Sequence, residues 1–225
     1  AYPELQPVEQ ISMVNIANAI SAFVAHEWRS DNSAFDAYLK GDRTAISMQQ
    51  QRGMELFYGK ANCFSCHSGS FQTDHEFHAV AMPLWRFDAD ISSADKDLFR
   101  DRSAQTGQKS DRHKRRTPSL RNVEHTAPYG HAGSFETLEG VVKAHLDPVK
   151  ALRTFVSDRI SASEKPAGLG KLVDSIIRST EIDPIELSDT EVDDIVAFLT
   201  SLSEPAILAG RLGRPDEVPS FLALD

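Results

Sequence analysis

Apolar residues recur at helical spacing in several separated stretches of this chain, and long polar stretches lie between them. Met13, Ile16, Ile20, Phe23 and Val24 fall three or four residues apart, which predicts an amphipathic helix over 12–29. The segment 32–41 reads as a turn followed by a short helix, FDAYLKG. A further helix is expected over about 46–58, with Met48, Leu56 and Phe57 as its apolar positions. Another runs from Thr137 to Leu146. There Leu138, Val141, Val142 and His145 follow an i, i+3, i+4, i+7 pattern, so His145 shares the apolar face. Ser188-Asp-Thr-Glu191 is a capping box, and Val192, Ile195, Val196, Leu199 and Leu202 mark the buried face of the helix it opens. Between Asp88 and Arg116 the period dissolves into a long charged loop. No strand alternation, internal repeat or low-complexity tract stands out. The fold class is mainly α.

Charge and composition narrow the function only a little. The net charge of −9, from 24 basic against 33 acidic residues, argues against general nucleic-acid binding. It is compatible with steering a basic redox partner, and equally with an inert acidic surface. No apolar run approaches the length of a membrane span. The opening AYPELQPVEQI has neither an initiator methionine nor a charged-then-apolar leader, so any export signal is expected to have been removed or to lie upstream. It reads like the middle of a protein, with sequence missing on the N-terminal side.

The chemistry sits at NCFSCHSG, residues 62–69, where the chain's two cysteines fall. Cys63, Cys66 and His67 spell C-x-x-C-H, the attachment signature of a c-type haem. Two thiols at i and i+3 reach the two vinyl groups of one haem, and the adjacent histidine then falls under the iron. A thioredoxin-like redox pair needs a βαβ setting that is missing, and a zinc site needs more cysteines or a spaced histidine pair. Because haem c is attached outside the cytoplasm, the expected compartment is periplasmic or extracellular.

With that motif in place, several segments resemble the C-terminal haem domain of the bacterial di-haem cytochrome c peroxidases, the family that includes MauG. They are FDAYLKGD (35–42), RGMELFYGKANCFSCHSG (52–69), RRTPSLRNVEHTAPYGHAGSFETLEGVV (115–142) and LSDTEVDDIVAFLTSLS (187–203). The resemblance implies a cytochrome c-like haem domain with long loops over 46–210. Residues 1–45 would be a linker helix and turn carried over from a preceding domain absent here, and 211–225 a C-terminal tail. In the family one haem binds peroxide and the C-terminal haem relays electrons to it. This chain holds a single C-x-x-C-H and matches the second domain, so peroxidase activity is not assigned to these residues alone. The expected role is an electron-transfer domain of a peroxidase-like or MauG-like oxidoreductase in the periplasm. The expected partners are the missing N-terminal haem domain, or a second chain carrying it, and a small donor protein such as a cytochrome or cupredoxin. The alternatives are a stand-alone monohaem electron carrier and a haem-based ligand sensor.

The resemblance also suggests roles for other residues. The family's distal ligand lies eight residues beyond the threonine of T-L-E, which from Thr137 falls on His145. Met82, His131 or no ligand at all remain alternatives, and His131 is read as lying near the haem rather than on its iron. A bis-histidine iron has a lower potential than a Met-ligated one and leaves no open position for peroxide. Arg116 and Arg121, flanking TPSL, are candidates to pair with haem propionates. The basic run KSDRHKRR could hold the same propionates or an acidic partner, or form a solvated face. A family calcium ion implies backbone ligands at Thr126 and Pro128. Trp28 and Trp85 are read either as members of an electron route or as packing residues.

Overall fold

Helix α3 (Met48–Tyr58) and helix α8 (Asp189–Thr200) approach so closely that only glycine fits at position 53. A Cβ on Gly53 would overlap the Asp194 carbonyl oxygen and lie 2.9 Å from Phe198 Cβ. The computed structural model in which this contact is seen describes residues 11–83, 102–131, 133–159, 168–204 and 206. Trp85, residues 88–101 of the charged loop and the 211–225 tail fall outside the described residues.

The α3–α8 pair organises the main core. Phe198 is fully buried, with the Phe35 and Phe57 rings each 5.2 Å away, centre to centre. Burying each such side chain stabilises the fold by about 1.5–3 kcal/mol. Ile195, Leu199, Leu202, Ala61, Tyr129 and Leu138 complete the cluster. Arg52 on α3 grips Asp194 on α8 through two bonds of 2.9 and 3.0 Å. Helix α8 begins at the expected capping box, Ser188 Oγ accepting from the Glu191 N–H and Glu191 accepting from the Ser188 N–H. Val192, Ile195, Leu199 and Leu202 are all buried as expected. Met48 is not: it is 69% exposed, and Gly53 and Phe57 line the buried side of α3 instead.

Helix α2 (Ala34–Leu39) sends Phe35 into this core, and the Phe35 N–H donates to Ser201 O. Helix α2 is thus packed into the main core. Glu204 draws the same ends together: its Oε2 accepts from the Asp31 and Asn32 N–H groups at 3.0 and 3.1 Å. Helix α1 (Met13–Glu27) forms where the pattern predicts it, capped by Ser12. Its stripe is open, however, with Ile16, Ile20 and Phe23 each more than 40% exposed.

The charged segment is more structured than a loop. It contains a short helix, α4 (Arg102–Thr106), and a strand, β2 (Arg115–Arg116), antiparallel to β1 (Phe77–His78). Beyond α5 (Leu138–Leu146) come two helices that form a second apolar cluster. They are α6 (Pro148–Arg159) and α7 (Leu169–Ser179), packed through Leu152, Leu169 and Ile176 with Ala81.

Candidate functional site

The C-x-x-C-H segment leaves α3 through a tight turn. Asn62 takes a left-handed conformation (φ 52°) and Cys63–Ser65 form one 3₁₀ turn. The His67 N–H closes it by donating to Cys63 O at 2.9 Å. Both cysteines are free thiols and partly buried. Burial pushes the Cys63 thiol up to about 11 and raises Cys66 as well, so neither is a thiolate near neutrality.

His67 and His145 meet edge to face. Their ring centres are 6.5 Å apart with the planes inclined at 67°. Helix α5 delivers His145 from the same face as Leu138, as the spacing predicts. Each ring places Nδ1 against a backbone carbonyl, His67 on Gln72 O at 3.1 Å and His145 on Val141 O at 2.8 Å. A carbonyl only accepts, so both rings carry their proton on Nδ1 and leave Nε2 as the lone-pair nitrogen. Burial holds both imidazoles below the usual histidine pKa. His67 falls to about 4, with the neighbouring His145 adding to the effect. Both are therefore neutral at pH 7, the protonation state a metal requires.

The geometry tests whether haem iron fits here. A metal about 2 Å from each ring nitrogen, with each nitrogen about 1.1 Å from its ring centre, separates two opposed rings by about 6.2 Å. The observed 6.5 Å matches that sum. Edge-to-face packing of two rings spans about 4.5–7 Å, so the haem assignment rests on this separation together with the donor set. The donor set of two thiols next to one of two partly buried, neutral histidines suits a covalently attached haem.

Met82 packs by Gly130, its sulfur 3.5 Å from where a Cβ there would sit. The backbone carbonyl of His131 accepts from Ser134 Oγ, and partial burial followed by the Arg115 charge lowers its ring pKa. Arg116 lies on β2 and bonds Thr117 O. Thr126 and Pro128 are exposed, at the end of the Val123–His125 turn and just beyond it. Trp28 is 56% exposed and meets the edge of Phe23.

Arg121 departs most from expectation. Nη1 and Nη2 fork onto Asp36 at 2.5 and 2.8 Å, Nε and Nη2 reach Ser70 O, and Nη1 also reaches Ser33 Oγ. These bonds occupy all five N–H groups of the guanidinium and leave none for a propionate. The side chain clamps α2 to the loop that follows the haem motif.

Two features near the site carry no sequence signal. Gln72 is buried with a left-handed backbone (φ 52°), and Tyr58 Oη donates to its side-chain oxygen at 2.9 Å. Cys66, Asp74 and His78 also converge, with one ligand atom from each inside 4.8 Å. That group offers a cation three donors, one of which haem attachment would consume.

No protein-family profile matches the chain. Whole-protein comparison is more informative. MauG of Methylorubrum extorquens is 33% identical over 80% of this chain and 42% of its own length. Cytochrome-c peroxidase IdrP2 of a Pseudomonas strain is 29% identical over 94% of this chain and 54% of its own. Among solved structures, a MauG-like protein associated with microbial copper homeostasis superposes with a TM-score of 0.62 at 29% identity. That match covers 93% of this chain and 62% of the other. The chain thus belongs with the di-haem cytochrome c peroxidase and MauG family, with the mainly α, cytochrome c-like fold of its MauG-like neighbour. It spans about half the length of the curated relatives it matches.

Proposed function

We propose that this chain is the electron-relay haem domain of a di-haem, peroxidase-like or MauG-like oxidoreductase. Cys63 and Cys66 would hold haem c through thioethers, and His67 and His145 would take the two axial positions. The observation that carries this reading is the 6.5 Å separation of two partly buried, neutral imidazoles beside the paired thiols. Haem c supplies a one-electron couple when bound.

The protein's own groups do the rest. The Gln72 and Val141 carbonyls fix the tautomer of each histidine and its orientation. Were both histidines to hold the iron, no ligand position would be left for peroxide, which favours relay over peroxide cleavage. Peroxide chemistry would then belong to a second haem domain, on the same polypeptide or on another. The open apolar stripe of α1, at Ile16, Ile20 and Phe23, is a surface for that domain to cover. Among the described residues no helix is long and apolar enough to cross a membrane, and the relatives are bacterial peroxidases. Export to the periplasm, a small cytochrome or cupredoxin as donor, and a calcium ion at Thr126 and Pro128 complete the proposal.

An optical and EPR spectrum of the purified, haem-loaded chain tests it. The expected result is one covalent haem per chain with a low-spin, bis-histidine ferric signal. A high-spin ferric iron, or a chain without covalent haem, would overturn it.

A further inference from the structure

The left-handed backbone at Gln72 is costly for a residue that is neither glycine nor asparagine, and something must hold it. The surroundings show what does. The Gln72 N–H donates to Gly69 O at 3.1 Å, and next to it the Thr73 N–H donates to Ser68 O at 2.8 Å. Thr73 Oγ1 donates to Thr117 O at 2.8 Å, tying the same turn to the strand segment beyond it. The Gln72 side chain is buried, and its oxygen accepts from Tyr58 Oη. Tyr58 closes helix α3 and is itself anchored, its ring 5.1 Å from Phe57 and 6.1 Å from Phe198.

The unusual backbone turns the Gln72 carbonyl onto Nδ1 of His67. Hydrogen bonds therefore run from a tyrosine at the rim of the core, through one amino acid, to the histidine beside the cysteines. We propose that Tyr58 and Gln72 are positioning residues for His67, acting as a relay that sets how strongly its imidazole donates to the iron it would bind. This rests on the haem assignment above. The physical basis is that an Nδ1–H bond to a carbonyl raises the basicity of a ligating imidazole and so favours oxidised iron. Tyr58 acts at one remove: by holding the Gln72 amide it keeps the carbonyl aimed. Loss of either partner lets the carbonyl drift and weakens that bond, which moves the reduction potential upward.

The test uses the haem-loaded chain and the variants Tyr58→Phe, Gln72→Gly and the double substitution. Phenylalanine keeps the ring packing, and glycine accepts the positive φ without the amide. Midpoint potentials from spectroelectrochemical titration, with ferric EPR g values, are the readouts. The expected result is a positive shift in each single variant and no further shift in the double, the non-additivity of a shared path. Unmoved potentials in a haem-loaded set, or shifts that simply add, overturn the relay and leave the haem assignment intact. A parent chain without covalent haem overturns both. A merely structural role predicts lower melting temperatures at an unchanged potential, which also counts against the relay.

Discussion

Replacing Arg121 separates two accounts of that residue. The structure makes it a clamp: its side chain is 10% exposed, its partner Asp36 is 11% exposed, and the guanidinium's five N–H groups all find protein acceptors. Arg121→Ala leaves the Asp36 carboxylate buried without its counter-charge and frees the Ser70 carbonyl. Breaking a pair of this kind costs about 3–5 kcal/mol. At about 2–4 °C per kcal/mol for a chain of this size, the melting temperature falls by about 6–20 °C. Arg121→Lys keeps the charge but loses the fork, so an intermediate loss is expected. Thermal melts followed by far-ultraviolet circular dichroism read this directly. Burial pushes the Asp36 pKa up, but the bonds from Arg121 and Ser33 outweigh it and hold the carboxyl below its ordinary range. The unfolded chain thus takes up that proton first as pH falls. The stabilisation is complete above the ordinary aspartate value of about 3.9 and is lost as pH drops through the lower folded value. In Arg121→Ala burial should push the Asp36 carboxyl up, so acidification should relieve the unpaired charge instead of destabilising this site. A loss below about 1 kcal/mol, the range of an exposed pair, would refute the clamp. A downshifted haem potential at an unchanged melting temperature would instead restore the propionate role, because losing a cation beside a propionate favours oxidised iron.

His145→Ala should convert the ferric signal from low spin to high spin or water-ligated, and an unchanged EPR spectrum would remove His145 from the iron. Cys63→Ala with Cys66→Ala should abolish haem staining on a denaturing gel, and persistent staining would refute covalent attachment there. Gly53→Ala should destabilise the fold by about 1–3 kcal/mol or more through overpacking of α3 on α8, measured by urea unfolding. A neutral result would mean that the two helices separate at little cost.

The chemistry of this chain was more legible than its wiring. Cys63, Cys66 and His67 are adjacent, so a motif announces them. His145 needed both the helical period and the family resemblance, because a histidine on an apolar face is ordinary by itself. The α8 face was readable because the capping box and the period point to the same register. The second cluster was also written in the chain: Leu169, Leu172, Val173, Ile176 and Ile177 follow helical spacing on α7. It is missing from the sequence reading, which drew its helices elsewhere. Arg121 could not have been read correctly, since its partner Asp36 is 85 positions away and any carboxylate suits a guanidinium equally. Gln72 gives no local sign either. A left-handed glutamine is imposed by contacts from Gly69 and Tyr58, and only the folded chain brings those together.

Glu204 has a consequence for how the domain can be handled. One carboxylate oxygen takes the backbone N–H groups of both Asp31 and Asn32, and the Glu204 N–H donates to Asn122 Oδ1. The two ends of the compact unit are thus buckled at a single point. A unit whose ends meet is portable: it tolerates insertion into a host loop, or circular permutation with a short bridge from Glu204 to Asp31. The site for the new break can then be chosen well away from His67 and His145, with the iron-facing geometry left untouched.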